Sequence, residues 1–105
     1  MPRIERAEES KADIARQVSY LRRRQEFGWI ETLRDDLVEL EALLSEFPLS
    51  GRQLAEEGTA LLLRLRLRTA PFYVWYGFDP TKKTTPVQLY RLFHVRQRSP
   101  EPRWG

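Results

Sequence analysis

The stretch Leu61-Leu62-Leu63-Arg64-Leu65-Arg66-Leu67-Arg68 alternates leucine with arginine over most of its length. Successive side chains of a strand point to opposite faces of a sheet, so this two-residue period predicts a strand over residues 60–68. The leucines of one face are expected to be buried: Leu61, Leu63, Leu65 and Leu67. The other face carries three mutually repelling arginines: Arg64, Arg66 and Arg68. We therefore expect an anionic partner to meet this face.

Two further strands are predicted after this one. Residues 72–78 read Phe-Tyr-Val-Trp-Tyr-Gly-Phe, and residues 87–95 again mix branched and aromatic side chains, which favour strands. Turn-forming residues separate the strands at 69–71 and at 79–86. Because these connections are short, we expect the three strands to form an antiparallel meander.

The clearest helical pattern lies over residues 29–47. Apolar residues there recur every three or four positions along one stripe: Ile30, Leu33, Leu37, Leu40, Leu44 and Phe47. Acidic residues occupy the other side, and Pro48 ends the pattern. The stripe is too short for a coiled coil, and a neighbouring sheet is the simpler partner for its burial.

A first helix is predicted over residues 10–25, with Ser10 and Asp13 forming a capping box and Gly28 ending the helix. Residues 3–6 alternate briefly, which is typical of a short edge strand. The predicted fold class is α+β. A short N-terminal strand and a helical hairpin would pack with an antiparallel sheet of three to four strands.

Composition and charge narrow the possible functions. The 105 residues are enough for one domain, and the absence of cysteine excludes disulfides and thiolate zinc sites. No uncharged apolar run approaches the roughly 20 residues of a membrane span, so we expect a cytoplasmic protein that does not bind membrane. Residues 1–58 hold 9 Lys and Arg against 13 Asp and Glu, a net charge of −4. Residues 59–105 hold 9 against 2, a net charge of +7, which predicts an acidic partner for the second half.

Aromatic residues are expected beside the arginines on the open side of the sheet. Strand parity alone offers two sets, Tyr73 with Trp75, or Phe72, Val74 and Tyr76, and both remain open. The sequence has no glycine-rich phosphate loop, histidine pair or cluster of carboxylates. We therefore expect neither a metal site nor a cofactor.

The single histidine, His94, shares strand parity with Tyr90 and Arg96. RNA cleavage by the 2′-hydroxyl needs a general acid, a general base and cations around the phosphate. An unperturbed imidazole has its pKa near neutrality, so His94 would be the acid or the base; Arg64, Arg66 or Arg96 would hold the phosphate while Tyr73, Tyr76 or Tyr90 stacks on a base. The alternatives are a structural histidine and arginines that are simply solvated.

The order of these elements and their local sequences resemble the RelE/ParE superfamily, the toxins of type II toxin–antitoxin modules. The resemblance covers nearly the whole chain. It rests on four stretches: Ala12-Asp13-Ile14; Leu40 to Phe47 with the following Pro48-Leu49-Ser50-Gly51-Arg52; the Arg64-to-Arg68 strand leading into Pro71-Phe72-Tyr73-Val74-Trp75-Tyr76; and Leu92-Phe93-His94-Val95-Arg96.

The resemblance implies a single toxin domain over residues 1–105, with a tail at 97–105, neutralised by an acidic antitoxin in a hetero-oligomer. The RelE branch cleaves mRNA on the ribosome, whereas the ParE branch poisons DNA gyrase. The stretch 47–52 and the His94-x-Arg96 ending resemble the ParE branch more. Residues 52–60 hold only one basic residue, Arg52, where many RelE nucleases have a lysine-rich strand. We therefore expect a gyrase poison, with an mRNA endoribonuclease or a non-toxic binding module as alternatives.

The resemblance matches Arg64 or Arg66 to an arginine of the family's central strand, and His94 and Arg96 to its closing segment. If the protein is a nuclease, the catalytic set is His94, Arg64 and Arg96. A wider set is expected to bind nucleic acid or a partner protein: Arg64, Arg66, Arg68, Tyr73, Tyr76, Arg96 and Arg98.

Overall fold

Two helices cover one face of a five-stranded sheet in the part of the chain that the computed structural model describes, residues 2–82 and 84–96. The elements in chain order are β1 (Ile4–Arg6), α1 (Glu8–Arg23), α2 (Phe27–Glu46), β2 (Arg52–Glu57), β3 (Ala60–Arg66), β4 (Phe72–Phe78) and β5 (Val87–His94). The predicted α+β class and N-terminal strand are confirmed. Over these described ranges, neither helix is long and apolar enough to cross a bilayer.

The sheet differs from the prediction in strand number and direction. Its order is β1-β5-β4-β3-β2, and the last four strands of the sequence form an antiparallel meander. The short β1 pairs in parallel with the start of β5, which makes the sheet mixed rather than antiparallel. The expected three to four strands become five because β2 is also present.

Strand β2 has no apolar–polar alternation that would predict it. Its sequence is Arg-Gln-Leu-Ala-Glu-Glu, and only Leu54 and Ala55 are partly buried. The strand forms because Gly58, at φ +61°, allows a tight hairpin that pairs Glu57 with Ala60. A bulge between Gln53 and Ala55 then shifts the register of its pairing with β3.

The main core lies between the helices and the inner face of the sheet. The α2 stripe packs there through Leu33, Leu37, Leu40 and Leu44, against β3, β4 and β5 residues that include Leu63, Val74, Tyr76 and Leu92. Ile30 is also buried, but Phe47 is 59% exposed, so the prediction that it completes the buried stripe is wrong. Helix α2 ends at Glu46, and Phe47, with φ −129°, already turns away from the helix.

The ends of α1 also differ from the prediction. The helix runs over Glu8–Arg23 with Ala7 at its N-cap, and no side chain caps it. The Ser10 hydroxyl instead donates to the Ala7 carbonyl at 2.8 Å. The chain reverses at Gln25, which has a left-handed φ of 56°, so the predicted stop at Gly28 lies inside α2. The Asp13 carboxylate is not part of a capping box because it binds β5, as described below.

Candidate functional site

The open face, the side of the sheet away from α1 and α2, carries two adjacent rows of side chains. Residues in register across antiparallel strands point to the same face. The first row, from β2 to β5, is Arg52, Arg64, Trp75 and Arg91. The second row, from β3 to β5, is Arg66, Tyr73 and Phe93. The register therefore places Tyr73 and Trp75 outward, and Phe72, Val74 and Tyr76 in the main core.

Three arginines of these rows have no acidic partner among the described residues. Arg52, Arg64 and Arg66 form no ion pair within residues 2–82 and 84–96. Arg52 and Arg64 lie directly opposite each other, and like charges in that position destabilise a sheet. The Arg64 guanidinium lies 4.3 Å from the centre of the Tyr73 ring, which supports it by a cation–π contact. This arrangement is suited to holding an anion.

Two aromatic residues of these rows, Trp75 and Phe93, are buried on the open side of the sheet. Trp75 and Phe93 are 6% and 2% exposed and meet edge to face, with ring centroids 5.0 Å apart. Leu62 completes this small second cluster, and it is buried although it shares the parity of the arginines. The Trp75 Nε1 is buried and has no hydrogen-bond partner among the described residues. A buried N–H group without an acceptor costs free energy, so the Trp75 Nε1 group destabilises this cluster.

Arg91 belongs to the first row but its charge is already paired. Its Nε donates to Asp13 Oδ2 at 2.7 Å, and one terminal nitrogen lies 3.3 Å from Asp13 Oδ1. The guanidinium also lies 4.9 Å from the centre of the Phe93 ring. Arg91 therefore closes the β5 end of the row, and the unpaired charge lies toward β2 and β3.

His94 does not join the arginines, which corrects the prediction of one histidine–arginine–tyrosine face. Trp75 pairs with Arg91 and Tyr76 with Leu89, so Tyr90 is an extra residue in β5. This bulge reverses the alternation between Tyr90 and His94. Tyr90 lies on the open face against the second cluster, whereas His94 pairs with Phe72 and points to the helical side.

On the helical side, His94 lines a cleft of about 300 Å³ at the bend between α1 and α2, with Tyr20, Trp29 and Phe72 among its neighbours. Its ring meets Phe72 edge-on, with centroids 5.4 Å apart. The Nδ1 accepts the backbone N–H of Arg96 at 3.1 Å. This bond leaves Nε2 as the position that carries the proton. A general acid at His94 would act on the opposite side of the sheet from Arg64.

Two other predicted site residues, Arg68 and Tyr76, also lie away from the open face. Arg68 follows the end of β3 and pairs with Glu39 of α2 at 3.5 Å, so it leaves the open face. The turn bends there because Asp36 Oδ2 accepts the backbone N–H groups of Thr69 and Ala70. Tyr76 is fully buried, and burial raises the pKa of its phenol. The Tyr76 hydroxyl oxygen accepts the Gly51 N–H at 2.8 Å.

Arg96 is exposed in the turn after β5, and Arg98 lies outside the described residues. Arg52 and Arg91 were not predicted as parts of the face. Counting back from the Gly58 hairpin would place Gln53 opposite Arg64, and only the bulge between Gln53 and Ala55 moves Arg52 into that position. The Arg91 position depends in the same way on the bulge in β5, and the sequence carries no signal for either bulge.

Comparisons with known proteins leave the family open. No family model matches the chain, and no curated protein matches it. Among solved structures, the chain is similar to a chain of the archaeal RelE–RelB complex from Pyrococcus horikoshii OT3, with 19% identity and a TM-score of 0.48. The similarity covers 92% of this chain and 98% of that one. It is too weak to assign a family or a function.

Proposed function

We propose that the protein is a growth-arresting toxin of a toxin–antitoxin module, whose open face is neutralised by an acidic antitoxin. The observation that carries the proposal is the set of unpaired arginines Arg52, Arg64 and Arg66 on one face of a small sheet, in the part of the chain that the structure describes. Positive charge gathered on one face, with the acidic residues mostly in the first half of the chain, favours an acidic protein partner. The sequence resemblance to RelE/ParE toxins supports the same function.

For the target, we favour a ParE-like action on DNA gyrase over cleavage of mRNA. A ribonuclease needs an acid or base at the phosphate that its cations hold. His94 and Arg64 lie on opposite faces of the sheet, so they do not serve one phosphate. The open face is better suited to recognition than to the cleavage chemistry expected of this histidine.

The test is controlled expression in a bacterial host. The chain should arrest growth, and co-expression of the protein encoded by the adjacent reading frame should restore it. A gyrase poison should trap cleaved DNA on gyrase and induce the DNA-damage response. Truncated transcripts without that response would overturn the gyrase target, and normal growth with soluble protein present would overturn the toxin proposal.

A matched pair of variants makes the test specific to the open face. Arg64→Gln and Arg66→Gln together remove two unpaired charges and should relieve the arrest. Arg22→Gln and Arg23→Gln remove the same charge from the exposed end of α1 and should leave it unchanged. Equal relief by both pairs would mean that net charge alone, rather than the open face, causes the effect.

A further inference from the structure

We infer that β2, the edge strand of the sheet, pairs antiparallel with β2 of a second copy of this chain. β2 is the last strand of the sheet, and β3 is the only described strand with which it pairs. An unpaired edge presents a row of backbone N–H and C=O groups on which another strand can form. The inference concerns this edge rather than the open face, and it does not depend on the proposed function.

The charges of β2 are complementary to those of its own reversed copy. The strand Arg52–Glu57 reads Arg-Gln-Leu-Ala-Glu-Glu, with a cation at one end, acids at the other and apolar residues between them. Neither Arg52 nor Glu57 forms an ion pair in the part of the chain that the structure describes. A two-fold axis between Leu54 and Ala55 relates the two strands in the proposed pairing. Arg52 of each copy then lies opposite Glu57 of the other, which gives two cross-strand pairs of opposite charge.

The bulge in β2 makes this register possible. Residues that oppose each other across antiparallel strands point to the same face, whereas residues five positions apart in a regular strand point to opposite faces. The extra residue in β2 restores the match. Arg52 pairs with Arg64, and Glu57 pairs with Ala60. These two β3 residues are four positions apart, so Arg52 and Glu57 both lie on the open face.

The centre of β2 fits the same pairing. Leu54 and Ala55 both pack against the second cluster on the open side, although they are neighbours in sequence. Both are only partly buried in a single copy. In the proposed pairing each Leu54 opposes Ala55 of the other copy, so the interface removes the rest of their apolar surface from water.

The backbone groups along the edge have the matching order. The hairpin at Gly58 has a two-residue loop, so the flanking Glu57 and Ala60 direct their backbone groups at each other. Alternate residues of β3 then face β2, and the β2 residues paired with those between them, Gln53 and Glu56, direct their backbone groups outward. In the proposed register, Gln53 of each copy opposes Glu56 of the other. The outward N–H and C=O groups of both residues therefore find partners.

The pairing also relieves an unfavourable contact within each copy. Arg52 and Arg64 are like charges that oppose each other across β2 and β3. Glu57 of the second copy would place a carboxylate on the other side of Arg52 in the same row, which offsets the repulsion. The open faces of the two copies would lie on the same side of one continuous sheet, because paired strands share their faces.

Sedimentation of the full chain at concentrations from about 1 µM to about 1 mM tests the inference. We expect a monomer–dimer equilibrium in this range, because a six-residue edge buries less surface than a permanent dimer does. Arg52→Glu or Glu57→Arg puts like charges into both symmetry-related pairs, so each should raise the dissociation constant at least about tenfold. Arg22→Glu, at the exposed end of α1, is the control and should leave the dimer unchanged.

A mixture of the two charge-reversed chains gives a sharper result. The Arg52→Glu chain carries only acids at the positions that meet, and the Glu57→Arg chain carries only bases there. Each chain therefore repels itself, but the two are complementary to each other. Their equimolar mixture should form a heterodimer with an affinity close to that of the parent dimer, and the double variant should again form a homodimer.

Glu56→Pro tests the strand pairing separately from the charge. Proline removes an N–H group that points away from β3, so the hairpin should be retained while the interface loses a hydrogen bond in two symmetry-related places. The dimer should be lost with Glu56→Pro and retained with Glu56→Gln. Thermal unfolding of every variant as a dilute monomer checks that the fold is intact.

Four results would overturn the inference. The first is a parent chain that stays monomeric up to about 1 mM. The second is equal weakening of the dimer by Arg52→Glu and Arg22→Glu, since net charge would then control association. The third is a mixture of the Arg52→Glu and Glu57→Arg chains that remains monomeric, which would refute the register. The fourth is a dimer that Glu56→Pro leaves unchanged, which would place the interface elsewhere.

Discussion

Asp13 of α1 holds Arg91 of β5 in a two-point ion pair, with Arg91 Nε 2.7 Å from Asp13 Oδ2. The same carboxylate accepts the backbone N–H of Leu92 at 3.0 Å and pairs with Arg16 at 2.9 Å. Asp13 is 5% exposed, so its charge is buried and fully used. It holds the first helix against β5 where the short β1 has ended, and it keeps Arg91 at the end of the first row of the open face.

We predict that Asp13→Asn destabilises the fold by about 2 kcal/mol, because the buried carboxylate loses its charge-assisted hydrogen bonds to Arg91, whose side chain is 38% exposed. Denaturation by urea at neutral pH measures the change. Glu9→Gln, on the exposed side of the same helix, is the control and should stay within about 0.5 kcal/mol of the parent chain. Equal stability of the Asp13→Asn variant and the parent chain would mean that packing, rather than this ion pair, fixes α1.

The close contact of Gly51 with Tyr76 leads to a second prediction. A Cβ on Gly51 would lie 2.6 Å from the Tyr76 hydroxyl oxygen and 2.7 Å from the Arg64 carbonyl oxygen. Gly51→Ala should therefore cost roughly 1–3 kcal/mol through overpacking. In a Tyr76→Phe background the cost should be smaller, since the contact with the hydroxyl is gone, although those with the Arg64 carbonyl oxygen and with the ring carbon Cε1, at 2.9 Å, remain. Thermal unfolding of the four chains of this cycle measures the coupling, and strict additivity would contradict the contact.

Asp79, in the turn between β4 and β5, leads to a prediction of how the stability of the fold depends on pH. A hydrogen bond from the Thr81 hydroxyl, at 2.6 Å, is the main cause that holds the pKa of Asp79 below its usual 3.8, and the Thr59 hydroxyl adds to it. A carboxyl whose pKa is lower in the folded state stabilises that state above the unfolded pKa, and the contribution is lost as pH falls through the folded pKa. The stability difference between the parent chain and Asp79→Asn should thus be constant from neutral pH down to about 4.5 and shrink below 3.8.

Urea denaturation of both chains over a series of pH values tests this prediction. The difference between the chains is the quantity to follow, since other carboxylates change the stability of both equally. A difference that grew as the pH fell below 3.8 would have the wrong sign and would contradict the lowered pKa of Asp79.

The separation of His94 from the arginines predicts unequal effects on growth arrest. Arg64→Ala should reduce the toxicity at least tenfold, measured as the inducer concentration that halves the growth rate, because it removes an unpaired charge from the middle of the first row of the open face. His94→Ala should leave the toxicity within about twofold, since His94 lines the cleft on the other side of the sheet. Loss of toxicity in both variants, with folded protein, would revive the nuclease alternative.

Salt should weaken the complex with the acidic partner. Arg52, Arg64 and Arg66 are partly or fully exposed, so their attraction to carboxylates is screened as ionic strength rises. The dissociation constant of a short glutamate-rich peptide should rise steadily with sodium chloride, and the slope should be smaller for Arg52→Gln. An affinity independent of salt would point instead to an apolar surface, such as the exposed Phe27 and Trp29.

The local sequence pattern was sufficient to locate a helix or strand wherever one periodicity extended over the whole element. The leucine–arginine alternation located β3, the aromatic run located β4, and the three-and-four stripe located α2, because burial of one face imposes a period. The alternation of leucine with arginine did not predict the position of every side chain in that stretch. Leu62 is buried on the open side, and Arg68 turns away to Glu39 because the strand ends at Arg66.

Only the tertiary structure decided which strands pair and in which register. β2 exists through its pairing with β3, and the extra residue in β5 depends on register with β4, so neither leaves a period in the sequence. That one residue moved His94 to the helical side and brought Arg91 into the row with Trp75 and Arg64. The sequence by itself determined that a basic face exists, since alternation with leucine requires it. Only the pairing of distant strands decided which residues share that face, because a single bulge reverses every side chain beyond it.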